Sequence, residues 1–375
     1  MIYFDSAATT FQKPAAVASA VAEAFSLASS PGRGGYTAAM HAAQIVFSCR
    51  EELAQMFGVP DPERVVFTCS ATHGLNLAIK SLVPPGGKVV ISGYEHNAVT
   101  RPLHALGATV YTAYAPLFSP EEAMTAFDAM ISPGTCAVIC TQVSNVFGCV
   151  QPLEGISAIC RKRGVPLIID ASQGAGILPL EVSSLGAHFV AMPGHKSLYG
   201  PQGTGVLLCS EEAVPHPIME GGTGSVSLQQ AMPEFLPDRL EAGTQNVPGI
   251  AGLLAGVRYL KTRGMENICE KERHLACMAA EGLRKFPGVE VFASPGFCGQ
   301  IGVVSFRAAN RGCEEIAASL ADRGVAVRAG LHCAPAAHRS AGTLDTGTVR
   351  LSFSDFNRAE EVEEFLEIMC RVLRG

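Results

Sequence analysis

The chain has 375 residues, 48% hydrophobic and 17% charged, which is enough for a sizeable core and more than one ordinary domain. A formal net charge of −6, with Lys and Arg scattered, leaves no basic surface for nucleic acid. No window offers about 18 uninterrupted apolar residues, and the opening MIYFDSAATT lacks the basic stretch and apolar core of a secretory signal, so a cytoplasmic protein with no membrane contact is expected.

The spacing predicts long helices over Ala15–Ala28 and Ala38–Phe57. Short apolar runs rich in β-formers follow, at Val65–Thr68, Lys88–Ile91, Ala108–Tyr111, Ala137–Cys140 and Pro166–Ile169. They alternate with helical stretches, the signature of βαβ units and a mainly parallel sheet. Beyond Gly249 the pattern changes to an amphipathic helix at Ile250–Arg263 continuing after Gly264, short strands at Gly302–Phe306 and Val325–Arg328, and a closing helix at Ala359–Leu373. A large domain over residues 15–249 and a small one built from 1–14 and 250–375 is the expected division. No internal repeat or low-complexity tract interrupts it. The thirteen cysteines stand singly without any CxxC, which points to reduced thiols rather than a disulfide framework or a zinc site.

In open parallel sheets ligands bind beyond the carboxyl ends of the strands, so those ends carry the candidates. Small hydroxyl residues, Thr68-Cys69-Ser70-Ala71-Thr72, lead from a strand into a helix, where free N–H groups and the helix dipole favour an anion or a plain N-cap. Glu95-His96-Asn97 and Ser144-Asn145 stand at two further strand ends. Asp170 ends the apolar run Pro166–Ile169, and a carboxylate there is costly unless it meets a cation. The cation is at hand in Gly194-His195-Lys196-Ser197, a lysine on a tight turn whose apolar flanks would lower the pKa of its amine. His195 between Gly194 and Lys196 rules out a nucleotide P-loop, and Gly221–Ser225 only loosely resembles a phosphate loop. A reactive lysine, a strand-end acid, an anion-binding helix start and a flat ring are together what pyridoxal phosphate requires.

Carried by Tyr3-Phe4-Asp5-Ser6-Ala7-Ala8, Glu95-His96, Asn145, Asp170-Ala171-Ser172-Gln173, Gly194-His195-Lys196, Glu241-Ala242-Gly243-Thr244 and Val327–Pro335, the chain resembles class V, fold-type I pyridoxal-phosphate enzymes. It is most similar to the group II cysteine desulfurase and selenocysteine lyase-like members. The resemblance implies an α/β fold: a large domain around a mainly parallel seven-stranded sheet flanked by helices, and a smaller α+β domain. It implies that Lys196 carries the cofactor, Asp170 meets its ring nitrogen, His96 stacks on it and Gln173 bonds its phenolic oxygen. Asn145 would touch ring or substrate, and Ala71, Thr72 and His195 would hold the phosphate. Thr223 would reach the phosphate of the neighbouring subunit, which implies a homodimer. Arg350 would clamp the substrate carboxylate, with Arg328 and Ala8 nearby.

Cys333, in Gly330-Leu331-His332-Cys333-Ala334-Pro335, matches the family's persulfide cysteine; beside His332 and near Arg328, an exposed, electropositive setting that favours a thiolate is expected. The reaction so implied converts L-cysteine to L-alanine and leaves a persulfide for a sulfur-acceptor protein. L-selenocysteine is the alternative substrate, and another class V aminotransferase or lyase reaction the alternative chemistry. Pro193, Tyr36 and His73 depart from the serine, histidine and glutamate common in the family.

Overall fold

The computed structural model describes residues 1–32 and 34–374. Its strands, in chain order, are β1 Ile2–Tyr3, β2 Val65–Thr68, β3 Lys88–Ser92, β4 Thr109–Ala113, β5 Thr135–Thr141, β6 Leu167–Asp170 and β7 Phe189–Pro193. They continue with β8 Gly205–Cys209, β9 Val289–Phe292, β10 Val303–Ala308, β11 Val325–Ala326, β12 Arg328–Gly330 and β13 Thr348–Ser352.

Seven of these strands form the central sheet in the order β2-β8-β7-β6-β5-β3-β4. Only β8 runs antiparallel to its neighbours; the other pairings are parallel. Helices cover both faces, so the inner strands are buried on both sides and read as unbroken apolar runs rather than alternating ones. β8 reverses direction directly after the Lys196 turn. It passes under the start of the next-door helix, where a Cβ on Gly205 would come within 2.6 Å of the Ser70 carbonyl carbon, so only glycine fits.

The second layer is a four-stranded antiparallel sheet, β12-β13-β10-β9, beside the parallel pair β1-β11. Ile2 and Phe4 share its core with the closing helix Ala359–Arg374, so the N-terminal strand belongs with the C-terminal part of the chain. The stretch read as one strand, Val325–Arg328, divides at Val327: β11 pairs with β1 while β12 pairs with β13. Helix Val247–Arg263 places Ile250, Leu253, Val257 and Leu260 in the core of the large sheet, and the second core first draws on this region at Leu275. Packing therefore changes hands after Ile268 rather than near Gly249, because the helix that begins there lies against Ala15–Leu27 and Thr37–Met56. The two layers are tied at Asp355, whose carboxylate takes hydrogen bonds from Arg263 at 2.9 and 3.0 Å and from the Tyr259 hydroxyl at 2.5 Å. None of the described helices is long and apolar enough to cross a membrane.

One buried ion pair anchors the long loop between β8 and Val247. Glu241 accepts from the Phe67 backbone N–H at 2.6 Å and from the Arg50 guanidinium, with both side chains under one-tenth exposed. Glu241→Ala leaves the Arg50 charge buried without its partner and is expected to destabilise the protein by about 3–5 kcal/mol, whereas a joint apolar replacement of both residues is expected to cost far less. Urea unfolding midpoints of the three proteins check this.

Candidate active site

The carboxyl ends of β3, β5, β6 and β7 open into a cavity of about 190 Å³. Its lining includes Ala71, Thr72, His96, Asn145, Asp170, Gln173, His195 and Lys196. These eight residues, up to 125 positions apart in sequence (196 − 71), are brought together by the parallel strand order.

Local structure places each group. Ser70 caps helix Ala71–Leu82 through its hydroxyl, which accepts from the His73 N–H at 3.2 Å, leaving the N–H groups of Ala71 and Thr72 at the cavity without a partner among the described residues. That is an anion site in chemistry and position. His96 caps helix Asn97–Ala105, its Nδ1 accepting from the Ala98 N–H at 3.0 Å. Burial depresses its basicity, so the ring is neutral with its hydrogen on Nε2.

Asp170, 2% exposed, accepts from the Ser172 N–H at 2.9 Å through one oxygen only. Lys196 follows β7 on a turn closed by hydrogen bonds from Gly194 N–H to the Thr204 carbonyl at 2.9 Å and from Gly200 N–H to the Gly194 carbonyl at 2.7 Å. A Cβ at position 194 would lie 2.1 Å from the Thr204 hydroxyl, which explains the glycine. The Lys196 amine has no hydrogen-bond partner among the described residues; burial pushes its pKa down to about 8, Asp170 opposing the shift and Arg350 and Arg328 adding to it. His195 is turned to Thr9, its Nδ1 3.0 Å from the Thr9 hydroxyl, and is held neutral with a pKa near 4 by burial and then by Lys196 and Lys13.

The small layer meets this sheet end next to the cavity, although Ala8, Arg328, Cys333 and Arg350 are not among the residues that line it. Arg350, on the inner strand β13, is 2% exposed; it donates to Asp5 at 2.7 Å and to the Asn145 carbonyl at 2.9 Å, and its Nε is buried without a partner. Arg328 is its cross-strand neighbour on β12 and exposed. Gln173 donates to the Ala7 carbonyl at 3.0 Å, beside Ala8. Cys333 is exposed, and its carbonyl accepts from the Asn97 N–H at 2.8 Å, next to His96; the His332 carbonyl accepts from the Asn145 side chain at 2.9 Å.

Thr223 does not line the cavity; its hydroxyl lies 3.1 Å from that of Ser225 in the loop before Glu241. Tyr36 and Pro193 separate: Pro193 lines the cavity, whereas Tyr36 is exposed and bonded to Ser29. His332 corrects one expectation. Its ring turns inward to Thr348, with a pKa pushed down to about 2 by burial first and then Arg350, so it lends no positive charge to Cys333.

Sequence reading passed over Asp5, Asn97 and the role of Glu95. Glu95, wholly buried, accepts from Ser92 at 2.5 Å and from the Thr141 N–H at 2.7 Å, tying the ends of β3 and β5 beneath the cavity. The costly burial of a carboxylate was the available signal, as it was for Asp170.

The chain belongs to the class V aminotransferase family, whose model, described as Aminotransferase class-V, matches residues 2–365. Among its relatives is a probable cysteine desulfurase of Mycolicibacterium paratuberculosis (strain ATCC BAA-968 / K-10), 32% identical across all of this chain and 56% of that protein. A probable cysteine desulfurase 1 of Mycobacterium leprae (strain TN) is also 32% identical, over 62% of its length, so the chain spans less than two thirds of these two relatives. Cysteine desulfurase CsdA of Escherichia coli (strain K12) is 30% identical, covering 99% of this chain and 94% of CsdA. Among solved structures, the apo cysteine desulfurase from Thermococcus onnurineus NA1 superposes with a TM-score of 0.91 at 30% identity, covering 100% and 95% of the two chains. The S-sulfonic acid form of Escherichia coli CsdA gives 0.86 at 29% identity, covering 99% and 94%.

The Lys196 amine sets a direct test. In cofactor-free protein, its labelling by an amine-specific reagent is expected to half-saturate near pH 8 rather than at the usual lysine value, and Asp170→Asn is expected to move the midpoint lower still, because the opposing carboxylate is gone. Peptide mass analysis across pH reads both midpoints.

Proposed function

We propose that this protein is a pyridoxal-phosphate-dependent cysteine desulfurase that moves sulfur from L-cysteine to Cys333 and releases L-alanine. The observation that carries the reading is the joining of Cys333 to the cavity: its carbonyl rests on Asn97, beside His96, while Asn145 holds the preceding carbonyl. Full-length likeness to CsdA supports the same substrate.

Members of the class V aminotransferase family typically use pyridoxal phosphate, and the donor set fits that group. The unpartnered N–H groups of Ala71 and Thr72, with His195, suit its phosphate, joined by Thr223 of a second subunit in a homodimer. The free oxygen of Asp170 suits a protonated ring nitrogen, His96 a flat ring face, and the second amide hydrogen of Gln173 a phenolic oxygen. Lys196 suits the carbonyl carbon. When bound, the cofactor withdraws electrons from the α-carbon of an amino acid.

The chain's own residues supply the rest. Arg350, fixed by Asp5 and Asn145, keeps its Nε–H and further hydrogens for the substrate carboxylate, with Arg328 and Ala8 beside it. Asn145, which already supports both Arg350 and the His332 carbonyl, also lines the cavity where substrate sits. The Lys196 amine, with a pKa near 8, is suited to take the α-proton as general base. His96, with hydrogen on Nε2, is placed to exchange a proton at the substrate sulfur. The Cys333 thiolate then attacks that sulfur: an S–S bond forms, the C–S bond breaks, and the carbon side takes up a proton to leave as alanine. The persulfide carries the sulfur to an acceptor thiol.

Cys333→Ser is expected to keep the visible absorbance of the bound cofactor and its change on adding cysteine, yet to form no alanine. Lys196→Ala is expected to lose that absorbance. Assaying alanine from L-cysteine and L-selenocysteine side by side decides the preferred substrate; a Cys333→Ser protein with wild-type cysteine turnover contradicts the proposal.

A further inference from the structure

Behind Cys333 lie two histidines that the chemistry above leaves without work. His332 is 5% exposed and His338 is wholly buried, and their rings stack with centroids 5.7 Å apart and planes 23° from parallel. Phe147 also packs against His338, with ring centroids 5.8 Å apart. The His332 Nε2 lies 3.1 Å from the Thr348 carbonyl and 3.2 Å from its hydroxyl. A carbonyl only accepts, so this nitrogen carries the hydrogen and the buried, unpartnered Nδ1 is bare. His338 Nδ1 is 2.8 Å from the Thr343 hydroxyl.

The backbone shows what this stack is set against. His332 and Cys333 have φ of 50° and 57°, two successive left-handed residues of types that seldom adopt that region unless their surroundings hold them there. The Cys333 sulfur has no partner among the described residues, so its direction is set by the backbone that carries it. Three hydrogen bonds hold that backbone: Asn145 to the His332 carbonyl at 2.9 Å, Asn97 to the Cys333 carbonyl at 2.8 Å, and Ala334 N–H to the Leu331 carbonyl at 2.9 Å. From within the loop, the His332 ring is the polar side-chain anchor, beside the wholly buried Ala334 methyl.

We propose that His332, braced by His338, is a positioning residue for Cys333: the neutral imidazole stack pins the left-handed turn that presents the sulfur. This inference rests on the desulfurase reading for its effect on turnover. Neutrality is part of the design, since a charged His332 ring would be buried near Arg350 and Arg328; burial together with those charges keeps His332 unprotonated at neutral pH, and burial alone does so for His338 against the opposing bond to Thr343. Neither ring acts as an acid or base.

The test uses the holoenzyme and paired variants. His332→Ala removes the anchor, while His332→Gln keeps an amide donor within reach of the Thr348 carbonyl; His338→Ala empties the brace, while His338→Phe refills it. Displacing an attacking atom by about 1 Å costs on the order of 100-fold in rate. Accordingly, His332→Ala is expected to lower kcat for alanine formation about 100-fold with KM for L-cysteine little changed, and His332→Gln to recover most of the loss. His338→Ala is expected to fall between, with His338→Phe restored. Amide hydrogen exchange in the peptide spanning 331–334 is expected to quicken in both alanine variants, with or without cofactor. Wild-type kcat in a folded His332→Ala protein, equal losses in the Ala and Gln variants, or unchanged exchange at 331–334 overturns the inference. If His332→Ala does not fold, the His338 pair decides in the same way. If the wild-type protein makes no alanine from cysteine, the desulfurase reading has failed, and the exchange comparison alone still decides whether the stack holds the turn.

Discussion

Asp170 closes an apolar strand with a carboxylate that is 2% exposed, and a charge so placed is tolerated only where it meets a cation and a set of donors. The fold supplies both at the same sheet end. Ser172 donates to one oxygen, and the strand beside β6 runs on into the Lys196 turn. Burial makes the amine a weaker acid-holder than a surface lysine, while the carboxylate restrains that shift, so the pair settles with Lys196 near pKa 8. A reactive amine at neutral pH follows from two burials that are each unfavourable alone. The glycines at 194 and 205 serve this arrangement by letting the turn close and β8 pass under the Ser70 corner.

The second requirement is that the small layer meet this sheet end with its own charged and nucleophilic groups. Asn145 is the junction: its carbonyl receives Arg350 and its side chain supports the His332 carbonyl. The proposed carboxylate clamp and the loop of the proposed nucleophile are thus fastened to one residue of the large sheet. Asp5 contributes the counter-charge that makes a 2% exposed Arg350 tolerable, and its bridge to Ser352 fixes it on the neighbouring backbone. The N-terminal segment therefore braces Arg350 as well as contributing to the second core.

Much of this was legible in the sequence where a residue violates its surroundings. A carboxylate ending Leu167-Ile168-Ile169 and a lysine between glycines stand out because each is costly without a partner, and the strand at Val65–Thr68 is bounded as its pattern implied. The contacts that hold Cys333 were not legible. The bond from Asn97 joins two backbone groups 236 positions apart (333 − 97), and backbone atoms leave no side-chain signal. Asp5 and Arg350 are 345 positions apart, and a salt bridge at that separation is set by the second core. The inward turn of His332 was hidden for a related reason: the stack that receives it depends on His338 and Thr348, which the turn itself brings together. The change of core after Ile268 was hidden because the helix from Val247 has apolar residues on most of its circumference, which fits either layer.

In the proposed reaction the amine at 196 and the thiol at 333 act on one amino acid. The most direct measurement is the mass of each cysteine-containing peptide after the holoenzyme has met L-cysteine without a reductant. The expected result is the added mass of one sulfur atom on the peptide containing Cys333, and none on that peptide in Lys196→Ala. Sulfur on another cysteine with Cys333 unmodified, or equal addition in the absence of Lys196, would contradict it.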